Sequence, residues 1–360
     1  MIDLQKLAAD LAPVCRRVMV DGNIPSATVA LVSQDKVVWT WADGTANIWA
    51  QTKADPSTVY LIGSTFKAMS ALALLRLMQE GKFGLDDPVR EYLDFELRGD
   101  EPKNPVMFRH LLTHTSGVSG DLGSVPVWSN SAPVPLDEFV RIALHVKDGP
   151  LTRVEYSDAG FALIGYLIQK LSGVEFKQFI RQHIFGPLEM SSTMFEPTPQ
   201  AEERLSIPYV VDPATGRQVP VQRVKLAAFP AGVVYGTVLD LANFLIANLN
   251  NGLFKGKRIV SEAALEQMFT RQYDRFKGAI AGIWGNETAG FGLAWWLQQR
   301  HGENYFAHSG SLPGYTAFVL GNRDQKLGFA ILTNGNEAHA HLFKLGDIAI
   351  DLMKKYSSTN

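Results

Sequence analysis

A single cysteine, Cys15, in a chain of 360 residues leaves no intrachain disulfide and no cysteine-based zinc site to consider. An excess of charge is missing too: 34 Lys plus Arg stand against 36 Asp plus Glu, a formal balance of −2 with a pI near 6.5. That balance gives no electrostatic reason for a nucleic acid or an anionic membrane as partner. Long apolar runs are also lacking. The longest, such as Phe161 to Ile168, fall far short of the roughly 18 residues that span a bilayer, so no membrane span is expected. The start, Met1-Ile2-Asp3-Leu4-Gln5-Lys6, has neither the basic opening nor the apolar core of a signal peptide. A cytoplasmic chain is the reading, or a periplasmic or secreted one if a signal has been removed. Hydrophobic residues at 46% exclude disorder, and a chain this long can build a large core or two cores sharing a cleft.

Common catalytic signatures are absent as well. No serine sits in Gly-x-Ser-x-Gly, no His-Glu-x-x-His occurs, and neither a P-loop nor a Gly-x-Gly-x-x-Gly fingerprint is present. The eight histidines do not cluster, and His339-Ala340-His341 reads as a solvated helix start rather than half a metal site. Neither a metal nor another cofactor is expected. Cys15 falls on the apolar side of a first helix and reads as a small buried hydrophobe.

What is there has a clear order. Helical spacing over 3–20 is followed by a hairpin, Ala27 to Val32 and Val37 to Trp41, joined by polar Ser33-Gln34-Asp35-Lys36. A short β run, Thr58 to Ile62, leads into Ser64 and a helix ending near Gly81. Mainly helical segments come next: Met107 to Thr113, Leu136 to Val146, Asp158 to Leu171, Phe176 to Ile184, Val238 to Leu249 and Glu262 to Phe269. The loops Ser116 to Pro135 and Pro197 to Val219 are long and rich in Pro, Gly and Ser, as cleft-lining loops often are. β pattern then returns in Phe291 to Leu297, Tyr305 to His308, Ala317 to Gly321 and Leu327 to Thr333, before a last helix from Glu337 to Tyr356. The expected fold class is α+β: one mixed antiparallel sheet built from both termini and flanked by helices, with a mainly helical region inserted. In residue ranges, 1–80 with 283–360 would form the sheet domain and 81–282 the helical one, with the active site between them. Trp39, Trp41, Tyr235 and Trp295 are tempting as pocket walls, but aromatics on strands more often belong to the core.

Three elements carry chemistry. Ser64-Thr65-Phe66-Lys67 follows Gly63 at the end of a β run and opens a helix, which puts Ser64 and Lys67 one turn apart on one face. The free N–H groups of a helix start favour an anion forming at Ser64, and a lysine there can help deprotonate the hydroxyl. Ser33-Gln34-Asp35-Lys36 also fits Ser-x-x-Lys, but reads as an exposed turn. Glu155-Tyr156-Ser157-Asp158-Ala159-Gly160 places a tyrosine just before an apolar helix. His308-Ser309-Gly310-Ser311 lies between two C-terminal strands. Singly, each has a bland reading: a core tyrosine, Asp158 as a helix cap, a strand-end histidine.

Together these elements resemble the serine β-lactamase and penicillin-binding-protein superfamily, in its class C β-lactamase, DD-peptidase and family VIII esterase branch. The pattern there is Ser-x-x-Lys, Tyr-x-Asn and Lys/His-x-Gly, matched by Ser64 to Lys67, Tyr156-Ser157-Asp158 and His308-Ser309-Gly310. Leu111 to Gly117 (Leu-Leu-Thr-His-Thr-Ser-Gly), Gly186 to Met190 and Ala231 to Thr237 are further phrases typical of the branch. The likeness runs over about 20–350 and implies a β-lactamase/transpeptidase-like fold. It also implies Ser64 as nucleophile, Lys67 and His308 polarising Tyr156 as the proton carrier, and the backbone N–H groups of Ser64 and Ser311 as oxyanion hole. Asp158 and Gly310 would support them. Asp158 stands where the family usually has Asn; if ionised, it would hold Lys67 protonated and shift the base role toward Tyr156, and if neutral it could donate a hydrogen bond much as Asn does. His308 replaces the lysine usual in β-lactamases and weakens the charge that would attract a substrate carboxylate.

The expected activity is therefore a serine hydrolase working through an acyl-enzyme, in the first place an esterase or amide hydrolase on small acyl substrates. A D-amino-acid peptidase is the alternative, followed by a β-lactamase, an acyltransferase and a catalytically silent scaffold. The partner expected is a small ester, amide or short peptide; the oligomeric state is not readable at this level.

Overall fold

The structure is a computed structural model that describes residues 2–120, 134–276, 278, 284–336 and 338–357. The elements run α1 (Leu4–Asp21), β1 (Ser26–Ser33), β2 (Lys36–Asn47), β3 (Thr52–Lys53), β4 (Tyr60–Leu61), α2 (Lys67–Gln79), α3 (Phe108–Leu112), β5 (Val118–Gly120), α4 (Leu136–Ala143), β6 (Leu144–Val146), α5 (Asp158–Ser172) and α6 (Phe176–Ile180). They continue with α7 (Pro199–Glu202), β7 (Tyr209–Val211), β8 (Gln218–Pro220), β9 (Tyr235–Gly236), α8 (Val238–Leu249), β10 (Leu253–Phe254), β11 (Lys257–Arg258) and α9 (Glu262–Phe269). The C-terminal part holds β12 (Gly290–Phe291), β13 (Trp296–Arg300), β14 (Glu303–Leu312), β15 (Tyr315–Asn322), β16 (Leu327–Thr333) and α10 (His339–Ser357).

Strands from both ends of the chain make one eight-stranded sheet, in the order β12-β13-β14-β15-β16-β1-β2-β3. All its pairings are antiparallel, so it carries no parallel component. The N-terminal hairpin is seated by β1 against β16, with Ala30 opposite Ala330. Because side chains alternate along a strand, each central strand serves two cores. Ala30, Val32, Ala330 and Leu332 face the large core shared with α2, α5 and α8. Ala27, Val29, Leu31, Phe329 and Ile331 face a second core closed by α1 and α10. Cys15 lies fully buried in that second core, and burial pushes its thiol up to about 12. Trp295 and Tyr235 are core residues, while Trp39 and Trp41 pack half-buried against the second core. Among the described residues no helix is long and apolar enough to cross a membrane.

Several segments differ from the expected ones. The helix expected over Leu136 to Val146 stops at Ala143, because Leu144–Val146 pairs with Val118–Gly120. The strand expected over Phe291 to Leu297 is a tight hairpin instead. Ala294 adopts a left-handed φ of 60°, its N–H donates to the Leu112 carbonyl, and Phe291 ends opposite Trp296. The helix over Phe176 to Ile184 changes to a π turn at Arg181. Much of the loop Ser116 to Pro135, the expected boundary at 282–283 and the helix start at Glu337 lie outside the described residues.

Candidate active site

Ser64 sits in a 3-10 turn, Gly63–Phe66, inserted between β4 and α2. The Thr65 hydroxyl donates to the Ile62 carbonyl at 2.7 Å and tightens that turn. Two glycines permit it. Gly63 has φ +56°, and a methyl built on it would lie 2.8 Å from the Ser311 nitrogen. One built on Gly310 would lie 2.2 Å from the Ile62 carbonyl oxygen and 2.9 Å from the Ser64 nitrogen. Strand β14 therefore passes directly against the serine turn, which brings the backbone at Ser64 and Ser311 together.

Lys67, one turn on, has no exposed side-chain surface. Its Nζ donates to Ser64 Oγ at 3.1 Å, to Asp158 Oδ1 at 2.6 Å and to the Ala231 carbonyl at 2.7 Å. Three acceptors match the three protons of an ammonium. Burial by itself pulls the lysine pKa down, but the Asp158 carboxylate and Tyr156 outweigh it and the net direction is up. Asp158 is half exposed and is not the helix cap; Ser157 caps α5, its Oγ accepting from the Gly160 N–H at 2.8 Å. That division leaves the Asp158 carboxylate free for Lys67.

The Tyr156 ring lies 4.8 Å from Lys67 Nζ, and its hydroxyl interacts with both Lys67 and Ser64. Burial of the hydroxyl raises its pKa, with the Lys67 charge opposing. At neutral pH the site holds an ammonium and a phenol beside the serine hydroxyl.

His308 is buried, stacks on Trp296 at 4.9 Å between ring centroids, and sits 6.3 Å from the Tyr156 ring. Burial, helped by Lys67, pushes its pKa down to about 3. Its Nδ1 lies 2.5 Å from the Ser309 carbonyl and so carries the proton of the neutral ring, leaving Nε2 as an acceptor with no protein partner. His308 thus joins the site as a neutral ring, and the cation beside Tyr156 is Lys67.

The other Ser-x-x-Lys, Ser33 to Lys36, is the turn between β1 and β2, with Gln34 at φ +57°. Among the described residues no three His, Cys, Asp or Glu are grouped to hold a metal, and His339-x-His341 stands by itself. Two contributors went unassigned in the sequence. The Ala231 carbonyl binds Lys67 through its main chain, which side-chain identity cannot signal. His114, in the phrase Leu111 to Gly117, stacks on Tyr156 with ring centroids 4.3 Å apart.

The family described as Beta-lactamase matches residues 11–350. The chain belongs to that family. Protein flp of Staphylococcus aureus (strain MW2) is 27% identical over 323 residues, covering 88% of this chain and 61% of flp. The putative penicillin-binding protein PbpX of Bacillus subtilis (strain 168) is 30% identical over 253 residues, covering 68% of this chain and 59% of PbpX. The chain thus spans about three fifths of these curated relatives. The structure of the octameric penicillin-binding protein homologue from Pyrococcus abyssi superposes with a TM-score of 0.78 at 28% identity, over 99% of this chain and 79% of that one. The Beta-lactamase family and its penicillin-binding-protein relatives are serine hydrolases with a β-lactamase/transpeptidase-like fold, and this chain shares that fold.

Proposed function

We propose that the protein hydrolyses small esters or amides through an acyl-enzyme on Ser64. The observation that carries this reading is the buried Lys67 ammonium, 3.1 Å from Ser64 Oγ and 2.6 Å from Asp158. The Tyr156 phenol first releases its proton to solvent, the Lys67 charge balancing the minor phenolate fraction; Ser64 Oγ then attacks the substrate carbonyl carbon while its proton passes to that phenolate. The oxyanion forms against the N–H groups of Ser64 and Ser311. Tyr156 then returns the proton to the departing alcohol or amine as the acyl carbon–heteroatom bond breaks. Water attacks the acyl-Ser64 ester in the second half and releases the acid. Hydrolysis of uncharged acyl groups is favoured because His308 is neutral and supplies no fixed cation for a substrate carboxylate.

Incubation with a fluorophosphonate followed by peptide mass spectrometry is expected to place the adduct on Ser64. Short nitrophenyl esters are expected to turn over faster than nitrocefin or D-alanyl peptides, and Ser64→Ala to abolish turnover. A label on another residue, or ester turnover that survives Ser64→Ala, overturns the proposal; preference for D-alanyl peptides moves the substrate class to a D-amino-acid peptidase.

A further inference from the structure

The loop after α3 reaches the tyrosine segment through one residue. His114 adopts φ +58°, a left-handed conformation that non-glycine residues seldom take. Glycine would adopt it more readily, so what histidine adds there is its ring. The residue is 1% exposed and touches three consecutive residues of the site, one through its main chain and two through its ring. The His114 carbonyl accepts from the Glu155 N–H at 2.8 Å. Its Nδ1 accepts from the Ser157 N–H at 3.1 Å. Its face lies on the Tyr156 ring at 4.3 Å between centroids and 25° between planes. Tyr156 is 41% exposed and lacks the all-round packing that fixes a core tyrosine, so its aim depends on a few contacts.

We propose that His114 is a positioning residue for Tyr156, holding the Tyr156 hydroxyl on Ser64 and Lys67 by clamping the Ser157 main chain through Nδ1. This rests on the reading of Ser64 as the reacting hydroxyl. The clamp needs an unprotonated Nδ1. Burial first, then the Lys67 charge, keeps the imidazole pKa well below its ordinary value, so the bond persists over the working range of pH. Lys67, Asp158, Ser64, His308 and His114 are the charged, polar and titratable groups that face the Tyr156 side chain. A displacement of about 1 Å in a proton carrier costs on the order of a hundredfold in rate, so a main-chain clamp has leverage that a packing contact lacks.

Two substitutions separate the bond from the ring. His114→Asn keeps an acceptor near the Nδ1 position and tolerates a positive φ, but has no ring. His114→Phe keeps the ring and loses the acceptor. With an ester that the wild type hydrolyses, His114→Asn is expected to keep kcat within about fivefold. His114→Phe is expected to lose about thirtyfold or more in kcat with KM within about threefold. The Tyr156 phenol, followed in protein carrying ¹³Cζ-tyrosine and assigned with Tyr156→Phe, is expected to titrate closer to an ordinary phenol in the Phe variant only. Circular dichroism checks that both variants are folded. Unchanged kcat and titration in His114→Phe, or equal losses in the two variants, overturn the assignment. A wild type whose Ser64 resists fluorophosphonate defeats the reading of the site instead; the ¹³C titration then decides the His114 clamp without turnover.

Discussion

Lys67 is completely buried and still carries its proton, and the reason is one carboxylate. Desolvation penalises the ammonium, and the Asp158 oxygen at 2.6 Å, with Tyr156, reverses the penalty. An asparagine at 158 would keep the hydrogen bond and remove the charge. In Asp158→Asn burial therefore prevails and Lys67 loses its proton at lower pH than in the wild type. Since the phenolate of Tyr156 needs a cation beside it, wild-type kcat/KM is expected to rise with pH from 7 into the alkaline range. The variant is expected to be about tenfold slower at pH 7 and to show an alkaline fall that the wild type lacks. A pH profile of both proteins on one ester checks this. An unchanged profile would detach Asp158 from the protonation of Lys67. Neither profile is expected to break near pH 6.5 through His308, which remains neutral down to about 3.

At the scale of elements, the site depends on β14 pressing against the serine turn. Gly310 makes that approach possible, since a methyl there would meet the Ile62 oxygen at 2.2 Å. Gly310→Ala is expected to push the strand away, lowering stability by about 1–3 kcal/mol and kcat/KM by about a hundredfold or more. Urea unfolding and steady-state rates measure the two effects; a variant with full activity would show that the contact is dispensable. Legibility also varied by element. The segments Val238 to Leu249 and Glu262 to Phe269 begin after Thr237 and Ser261, whose hydroxyls accept from the third residue on, so local chemistry marks their starts. Nothing comparable marks the end of the helix at Ala143 or the reversal at Ala294. The first is set by pairing with Val118–Gly120 and the second by the Leu112 carbonyl, both of them non-local partners.

For the whole molecule, burying histidines in a neutral state links folding to pH. His308 binds a proton near 6.5 when unfolded and only near 3 when folded. Its contribution to stability is fully present above 6.5 and declines as the pH falls toward 3, by about 1.4 kcal/mol per pH unit. Between pH 7 and 4.5 the wild type should lose about 3 kcal/mol more than His308→Gln, read by urea unfolding at the two pH values. Equal losses would show that His308 is not held neutral by the fold. His110, pushed down to about 4, and His114 act in the same direction in both proteins and cancel in that comparison.

The sequence by itself determined the periodicity that places a sheet at both ends and helices between, and the order of the candidate site side chains at 64, 67, 156 and 308. These are legible because alternation, caps and motif spacing are local properties of the chain. Tertiary structure alone decided which charges those side chains carry and which backbone groups serve them. The Ala231 carbonyl on Lys67, the neutral ring of His308 and the grip of His114 on residues 155–157 arise between segments far apart in sequence. Burial and long-range proximity set a protonation state, and neither is written in the identity of a residue.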